Sequence, residues 1–329
     1  MIKQLLGAVV AVGMLATTSS AVELKMKYEP GVTRTMNVEM NLKGDLDVGG
    51  DTPVKGTAQG KILTEMDLKV QSVDDEGVGT IEQSISNIDM EFSAEAETPD
   101  GPKKWDVDLS PEGGSMTADG ETTPIPADTL SDIQSKSWEV KMNAQGAPVG
   151  MDIDSSEMSE EEAQQVKQMS ESISKMIGKA ALLPEGDVEV GHEWEQVLSI
   201  DELTKELVKD NPMLSVMTQM GIPDLKTTYK LDEVRQDGGN EIATISSKTL
   251  FDWTEGNLPL GVVNITVNRL SITGNTLTTM NATDGYASRQ TSDTELTYDL
   301  TINTVFGPDG PSTFEAKGGL TINSNVKTD

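Results

Sequence analysis

Alternation of apolar and polar residues is the pattern that most constrains this chain. In Thr35–Lys43, Met36, Val38, Met40 and Leu42 alternate with Asn37, Glu39, Asn41 and Lys43. Successive side chains on a strand point to opposite faces, so this spacing predicts a strand with one apolar and one wet face. Ile62–Val70 repeats the pattern with Ile62, Met66, Leu68 and Val70, and the turn Asp74-Asp75-Glu76-Gly77 follows. Val78–Phe92 reads as a long strand whose apolar phase slips between Ile85 and Ile88, which predicts a bulge or bend near Ser86-Asn87. Trp138, Val140 and Met142 alternate before the turn Asn143–Gly146. Further strands are expected at 227–234, 241–251, 262–272, 276–280, 294–304 and 313–323, a half rich in threonine, as strands prefer.

Two segments carry helical spacing instead. Ser159-Glu160-Glu161-Glu162 is a capping box with an acidic first turn, and Ala163, Val166, Met169, Ile173, Met176, Ile177 and Ala180 follow on one stripe. Ser199-Ile200-Asp201-Glu202 opens a shorter stretch with Leu203, Leu207 and Val208 that Pro212 breaks, and one more helical turn is expected over Met213–Met220.

The two halves look related. Tyr28-Glu29-Pro30-Gly31 and Val188-Glu189-Val190-Gly191 open strands 160 residues apart. The acidic-glycine turns at Gly77 and Gly238 lie 161 apart, and Met142-Asn143-Ala144-Gln145-Gly146 matches Met280-Asn281-Ala282-Thr283-Asp284-Gly285. Each match alone is weak because such turns are common. Taken in order they predict a mainly β (α+β) chain of two duplicated curved antiparallel sheets with an amphipathic helical region at the junction. The expected layout is a leader at 1–21, a first β half at 22–155, a helical segment at 156–182, and a second β half at 183–329 with short helices near 201–220.

Two sheets of hairpins with accompanying helices resemble the half-barrels of the lipoprotein-carrier (Lol-type) superfamily. The openings at Tyr28–Gly31 and at Pro184–Trp194 are also similar to patterns in secreted bacterial β-protein families. The resemblance covers most of residues 22–329, and it implies a concave apolar face, partly covered by helices, that holds acyl chains. No motif here is specific to a carrier, so it transfers no functional residue.

The start of the chain predicts a compartment. Met1–Gln4 is short and basic, Leu5–Ala16 is apolar, and Ser19 and Ala21 are small residues placed for cleavage after Ala21, the signature of a secretory signal peptide. The apolar run is shorter than the roughly 20 residues needed to span a bilayer, and no later segment is long enough. Val22 and Glu23 stand where a lipoprotein needs a cysteine, and the chain has none. The expectation is an exported protein, periplasmic or extracellular, soluble and not a lipoprotein, with no transmembrane segment in the mature chain.

A net charge of −30, from 55 acidic and 25 basic residues, repels phosphate backbones and excludes nucleic acid as a partner. It also disfavours anionic membrane surfaces. The single histidine, His192, sits beside Glu193 and Trp194 at a strand start with no nucleophile elbow near it, so no catalytic residue is nominated. Zinc sites of histidine and cysteine are excluded by count. An EF-hand loop needs glycine at its sixth position and glutamate at its twelfth. Counting from Asp106 gives Pro111 and Thr117, counting from Asp45 gives Gly50 and Gly56, and Asp152-Ile153-Asp154 only begins such a pattern. No metal or cofactor is expected.

Methionine is the unusual ingredient, with 17 in the chain. It is flexible and overused on adaptable binding surfaces. The candidate ligand-binding set is therefore the helical stripe Met158, Met169, Ile173, Met176, Met213, Met217 and Met220, weighed against ordinary packing of helix on sheet. Met36, Met40 and Met66 fall on strand faces. Few aromatics, at 4%, and the helical segments argue against a transmembrane β-barrel. The leading reading is a non-enzymatic envelope protein that binds a lipid or other apolar ligand, with envelope proteins as the other class of partner. The alternative is a structural or interaction module with no small ligand. A carboxylate-based hydrolase ranks third.

Overall fold

A computed structural model describes residues 21–50, 53–127, 134, 137–153, 182–200, 221–260, 263–304 and 312–329. In chain order its strands are β1 (Val22–Glu23), β2 (Thr33–Val48), β3 (Val54–Val73), β4 (Gly79–Thr98), β5 (Gly101–Ser110), β6 (Gly113–Ala118), β7 (Glu121–Ile125), β8 (Ser137–Met142), β9 (Pro148–Ile153), β10 (Asp187–Val188), β11 (Glu193–Leu198), β12 (Leu225–Asp237), β13 (Asn240–Leu260), β14 (Val263–Asn281), β15 (Tyr286–Thr304) and β16 (Ser312–Thr328). Fourteen of them form one antiparallel sheet in the order β11-β12-β13-β14-β15-β16-β2-β3-β4-β5-β6-β7, with β8 and β9 added beside β4. The strands are long. β13 runs 21 residues, roughly 70 Å at the usual rise per residue.

This corrects the expected architecture. Among the described residues every element is a strand, and the halves do not meet at a helical region. They meet strand to strand, β16 against β2, from Ala316↔Val48 to Thr328↔Met36. The physical reason is edge satisfaction. Two separate sheets would each end in a long row of unpaired N–H and C=O groups, and pairing the two edges removes both rows. One open sheet, with β7 and β11 at the ends of its path, stands where the resemblance implied two half-barrels. The segments read as helix, 159–180 and 201–220, lie outside the described residues.

Local chemistry explains the hairpins. Asp74 Oδ1 accepts hydrogen bonds from the backbone N–H of Glu76 and Val78, which closes the β3–β4 turn. The β12–β13 turn passes through Gly238 and Gly239, both at positive φ, as a tight hairpin requires. The predicted bulge is present. Glu65 faces Asn87 and Met66 faces Ile85, so Ser86 is the extra residue in β4. It keeps the apolar side chains on either side of the slip on one face.

The related openings make the same bonds. Gly31 N–H donates to Val70 O and Val70 N–H to Val32 O, while Gly191 N–H donates to Leu231 O and Leu231 N–H to His192 O. A register shift follows in each, between Val70 and Ser72 and between Leu231 and Glu233. The best-buried cluster lies at this end of the second half and gathers Val22, Leu24, Leu183, Val188, Leu231, Ala243, Ile245, Met280 and Ala282. A second, of Phe251, Trp253 and Val267, lies towards the other end.

Candidate functional site

Directly opposed residues of antiparallel strands project to the same face, so the register sorts the sheet into rows. One row runs Lys248, Asn275, Asp293, Asn323, Asn41, Lys61, Glu91, Asp108, Ser115 and is polar from end to end. Its neighbours on that face hold exposed ion pairs: Lys61 with Glu39 at 3.3 Å, Lys55 with Asp47 at 2.8 Å, and Lys104 with Asp106 at 3.4 Å. Each such pair contributes little to stability in water. Asp47 hydrogen-bonds Lys55 and holds its ammonium above the usual lysine range. The carboxyl of Asp299 is held low, first by the hydrogen bond from Asn268 and then by Lys317. A groove of about 580 Å³ on this face is lined by Asn41, Lys43, Lys61, Glu91, Asp106 and Asp108 among others. Asp45, Asp47, Asp106 and Asp108, the spaced acids of the sequence, thus sit on strands β2 and β5 and not in loops. Among the described residues no group of three or more His, Cys, Asp or Glu side chains is placed to hold a metal ion.

The opposite face is different. In the first half its rows are Met36–Met66–Ile85, Val38–Thr64–Ile88, Met40–Ile62–Met90–Leu109 and Leu42–Gly60–Phe92–Val107–Met116. Apart from Thr64 and Gly60 these side chains are all large and apolar. They alternate because the sequence of each strand alternates, and Ser86 keeps β4 in phase. None of the hydrophobic residues of β2 to β7 is buried: Met40, Ile62, Met90 and Phe92 are half-buried, while Trp105 (37%) and Met116 (44%) are exposed. Monomeric proteins rarely expose contiguous apolar patches beyond a few hundred Å², and larger ones mark interaction or ligand-binding surfaces. This face of β2–β6 is the candidate site.

Continued into the second half, the same rows change character. The Met40 row passes through Ser324, Ser292, Thr276 and Ser247, and the Leu42 row through Ile322, Thr294, Gly274 and Thr249. Hydroxyls occupy the middle of that half, and its buried apolar side chains are gathered into two clusters at its ends.

The sequence-nominated residues Met158, Met169, Ile173, Met176, Met213, Met217 and Met220 all lie outside the described residues. The methionines that the structure does bring together are Met36, Met40, Met66 and Met90 on adjacent strands, with Met116 at the margin. Period-two alternation placed three of them on strand faces. What it could not supply was the register that makes those faces one surface. His192 is exposed at the entry to β11, its ring stacked on Trp194 (centroids 6.0 Å apart), which stacks in turn on Tyr229 (5.4 Å). Burial raises the Tyr229 phenol, whose hydroxyl donates to Gln196 Oε1.

No protein-family model and no curated protein matches the sequence. Among solved structures, one of lipovitellin and its lipid–protein interactions matches with a TM-score of 0.34 and 10% identity, over 89% of this chain and 25% of that one. An outer membrane channel from Pseudomonas putida F1 matches with a TM-score of 0.21 and 10% identity, over 92% and 97% of the two chains. A Pseudomonas aeruginosa FadL homologue matches with a TM-score of 0.15 and 8% identity, over 90% of each. This chain therefore spans a quarter of the lipovitellin chain's length. TM-scores this low carry no neighbour's role across, and what stands is a β-rich protein built on one large antiparallel sheet.

Proposed function

We propose that this chain is an exported, non-enzymatic protein of the cell envelope that holds the acyl chains of a lipid against the apolar face of β2–β6. One observation carries the reading: contiguous rows of Met, Ile, Leu, Val and Phe across these strands, none of them buried. Acyl chains match such a surface because they need no hydrogen-bond partner, and each buried methylene contributes about 0.8 kcal/mol. Methionine suits the task, since its unbranched side chain adapts to irregular shapes. The leader pattern at residues 1–21 supports export.

Native mass spectrometry of the protein purified from its own envelope fraction, before and after organic extraction, tests the reading. The expected result is an adduct of lipid mass that extraction removes. A bare mass both times, from protein shown to be folded, overturns it.

A further inference from the structure

The segment Val22–Tyr28 belongs to neither half of the large sheet, yet it touches both. β1 pairs with β10 through Val22↔Val188 and Glu23↔Asp187, and Leu24 is 1% exposed. Met26 N–H then donates to Ala144 O at 2.7 Å, in the Asn143 turn of the first half. The next residue reaches the other half: Lys27 N–H donates to Gly285 O at 2.9 Å, and its Nζ to Thr283 O at 2.7 Å. Tyr28 returns to the first half, its hydroxyl donating to Asn143 O at 3.0 Å. Glycine makes the seat fit. A Cβ at Gly79 would overlap the Tyr28 ring, and one at Gly285 would overlap Lys27.

The seat owes its shape to bonds that do not involve this segment. Asn143 Oδ1 accepts from the backbone N–H of Gln145 and Ala147, and Asn281 Oδ1 accepts from that of Asp284. Leu183 N–H donates to Gln145 O at 3.1 Å, which fixes the third wall. A preformed seat, apolar pockets at alternate positions and main-chain hydrogen bonds along an extended segment are the parts of a strand-addition site.

We infer that the space between the Asn143 and Asn281 turns is a binding site for an extended peptide. It takes aliphatic side chains at the first and third positions and tyrosine at the seventh, and residues 22–28 fill it in cis and so clasp the two halves together. Tethering gives the segment an effective concentration of order millimolar, which shuts out free peptide at micromolar levels.

The test uses the whole chain with Leu24→Asp, and Leu24→Ala as a milder variant, together with a synthetic peptide of residues 22–28. In the variants the amides of Met26, Lys27 and Leu183 are expected to exchange at least about tenfold faster, with β16–β2 protection unchanged. The peptide is expected to bind Leu24→Asp at least about tenfold more tightly than it binds the unaltered chain, and to restore the slow exchange of Leu183. A variant that takes up no peptide overturns the inference, and so does an unaltered chain that takes it up equally. Loss of protection throughout the sheet in both variants also overturns it, because the segment would then be inseparable core.

Discussion

The two halves share a hydrogen-bonded skeleton and spend it on opposite ends. In the first, β2 and β3 form a full hairpin from Thr33↔Lys69 to Val48↔Val54, while the far neighbour of β4 is split between β5 and β8. In the second, β11 pairs with β12 only over Glu193–Leu198, while β14 accompanies β13 along its whole length. Each half interrupts the strand that the other keeps. Their faces differ as well. Leu231 is fully buried at the point equivalent to half-buried Val70, and the apolar residues of β2–β6 continue as the serine and threonine band at Ser247, Thr276 and Ser292. Backbone pairing and side-chain function are thus separable. Turns and ladder set the skeleton, and the choice of residue on one face decides whether that skeleton carries a core or a surface.

The sharpest way to break this comparison is to truncate the two equivalent residues. Leu231→Ala is expected to destabilise the protein by about 2–5 kcal/mol, because it removes fully buried methyl groups and leaves a cavity. Val70→Ala is expected to cost about 1 kcal/mol or less, because solvent already reaches that position. Urea midpoints for both variants measure it. Equal losses would show that the halves are packed alike.

The second prediction concerns the faces. Met90→Asp places a charge among Ile62, Leu109 and Phe92 and is expected to weaken binding of a fluorescent fatty-acid probe at least about tenfold with the far-ultraviolet spectrum kept. Ser247→Asp, on the same face of the second half, is expected to leave probe binding within about twofold. If Ser247→Asp weakened binding as much as Met90→Asp, the site would not belong to the first half.

The smallest effect concerns the seam. Burial raises the phenol of Tyr28 well above the usual tyrosine range. An unfolded tyrosine ionises near pH 10, so the stability this group contributes is present below about pH 10 and is lost as pH rises towards its folded-state value. Tyr28→Phe is expected to lower stability by about 1 kcal/mol at neutral pH, through loss of the bond to Asn143, and to flatten the alkaline decline. Tyr229 and Tyr298 are shifted the same way and stay in both proteins, so the difference between the two curves isolates Tyr28. Parallel curves would mean that the ring is solvated where the clasp closes.

Much of the skeleton was legible in the residues. Alternation in Thr35–Lys43 and Ile62–Val70 placed β2 and β3, the phase slip between Ile85 and Ile88 placed the bulge at Ser86, and Asp74–Gly77 and Asn143–Gly146 placed their turns. These are local matters, settled by side-chain direction, by an asparagine or aspartate that caps its own turn, and by glycine at positive φ. The stretches 262–272 and 276–280, read as two strands, are one, because Gly274 inside β14 meets Thr294 and Thr249 across the ladder and does not end the strand. The candidate site was only half legible. Met36, Met40 and Met66 were placed on strand faces, but nothing in their spacing said which strands would lie side by side.

That decision belongs to pairing between distant parts of the chain. The sequence by itself determined many of the strands and turns, their two unlike faces and the related openings at Gly31 and Gly191, because each depends on residues a few positions apart. Only the tertiary structure decided that β16 would pair with β2 to make one sheet of two halves, that Val22–Tyr28 would cross between them, and that the methionines of β2–β4 would share one surface. The first two outcomes rest on contacts between segments a hundred or more residues apart, and the third on the register of successive hairpins; in each, pairing along whole edges decides, and no local pattern records the partner.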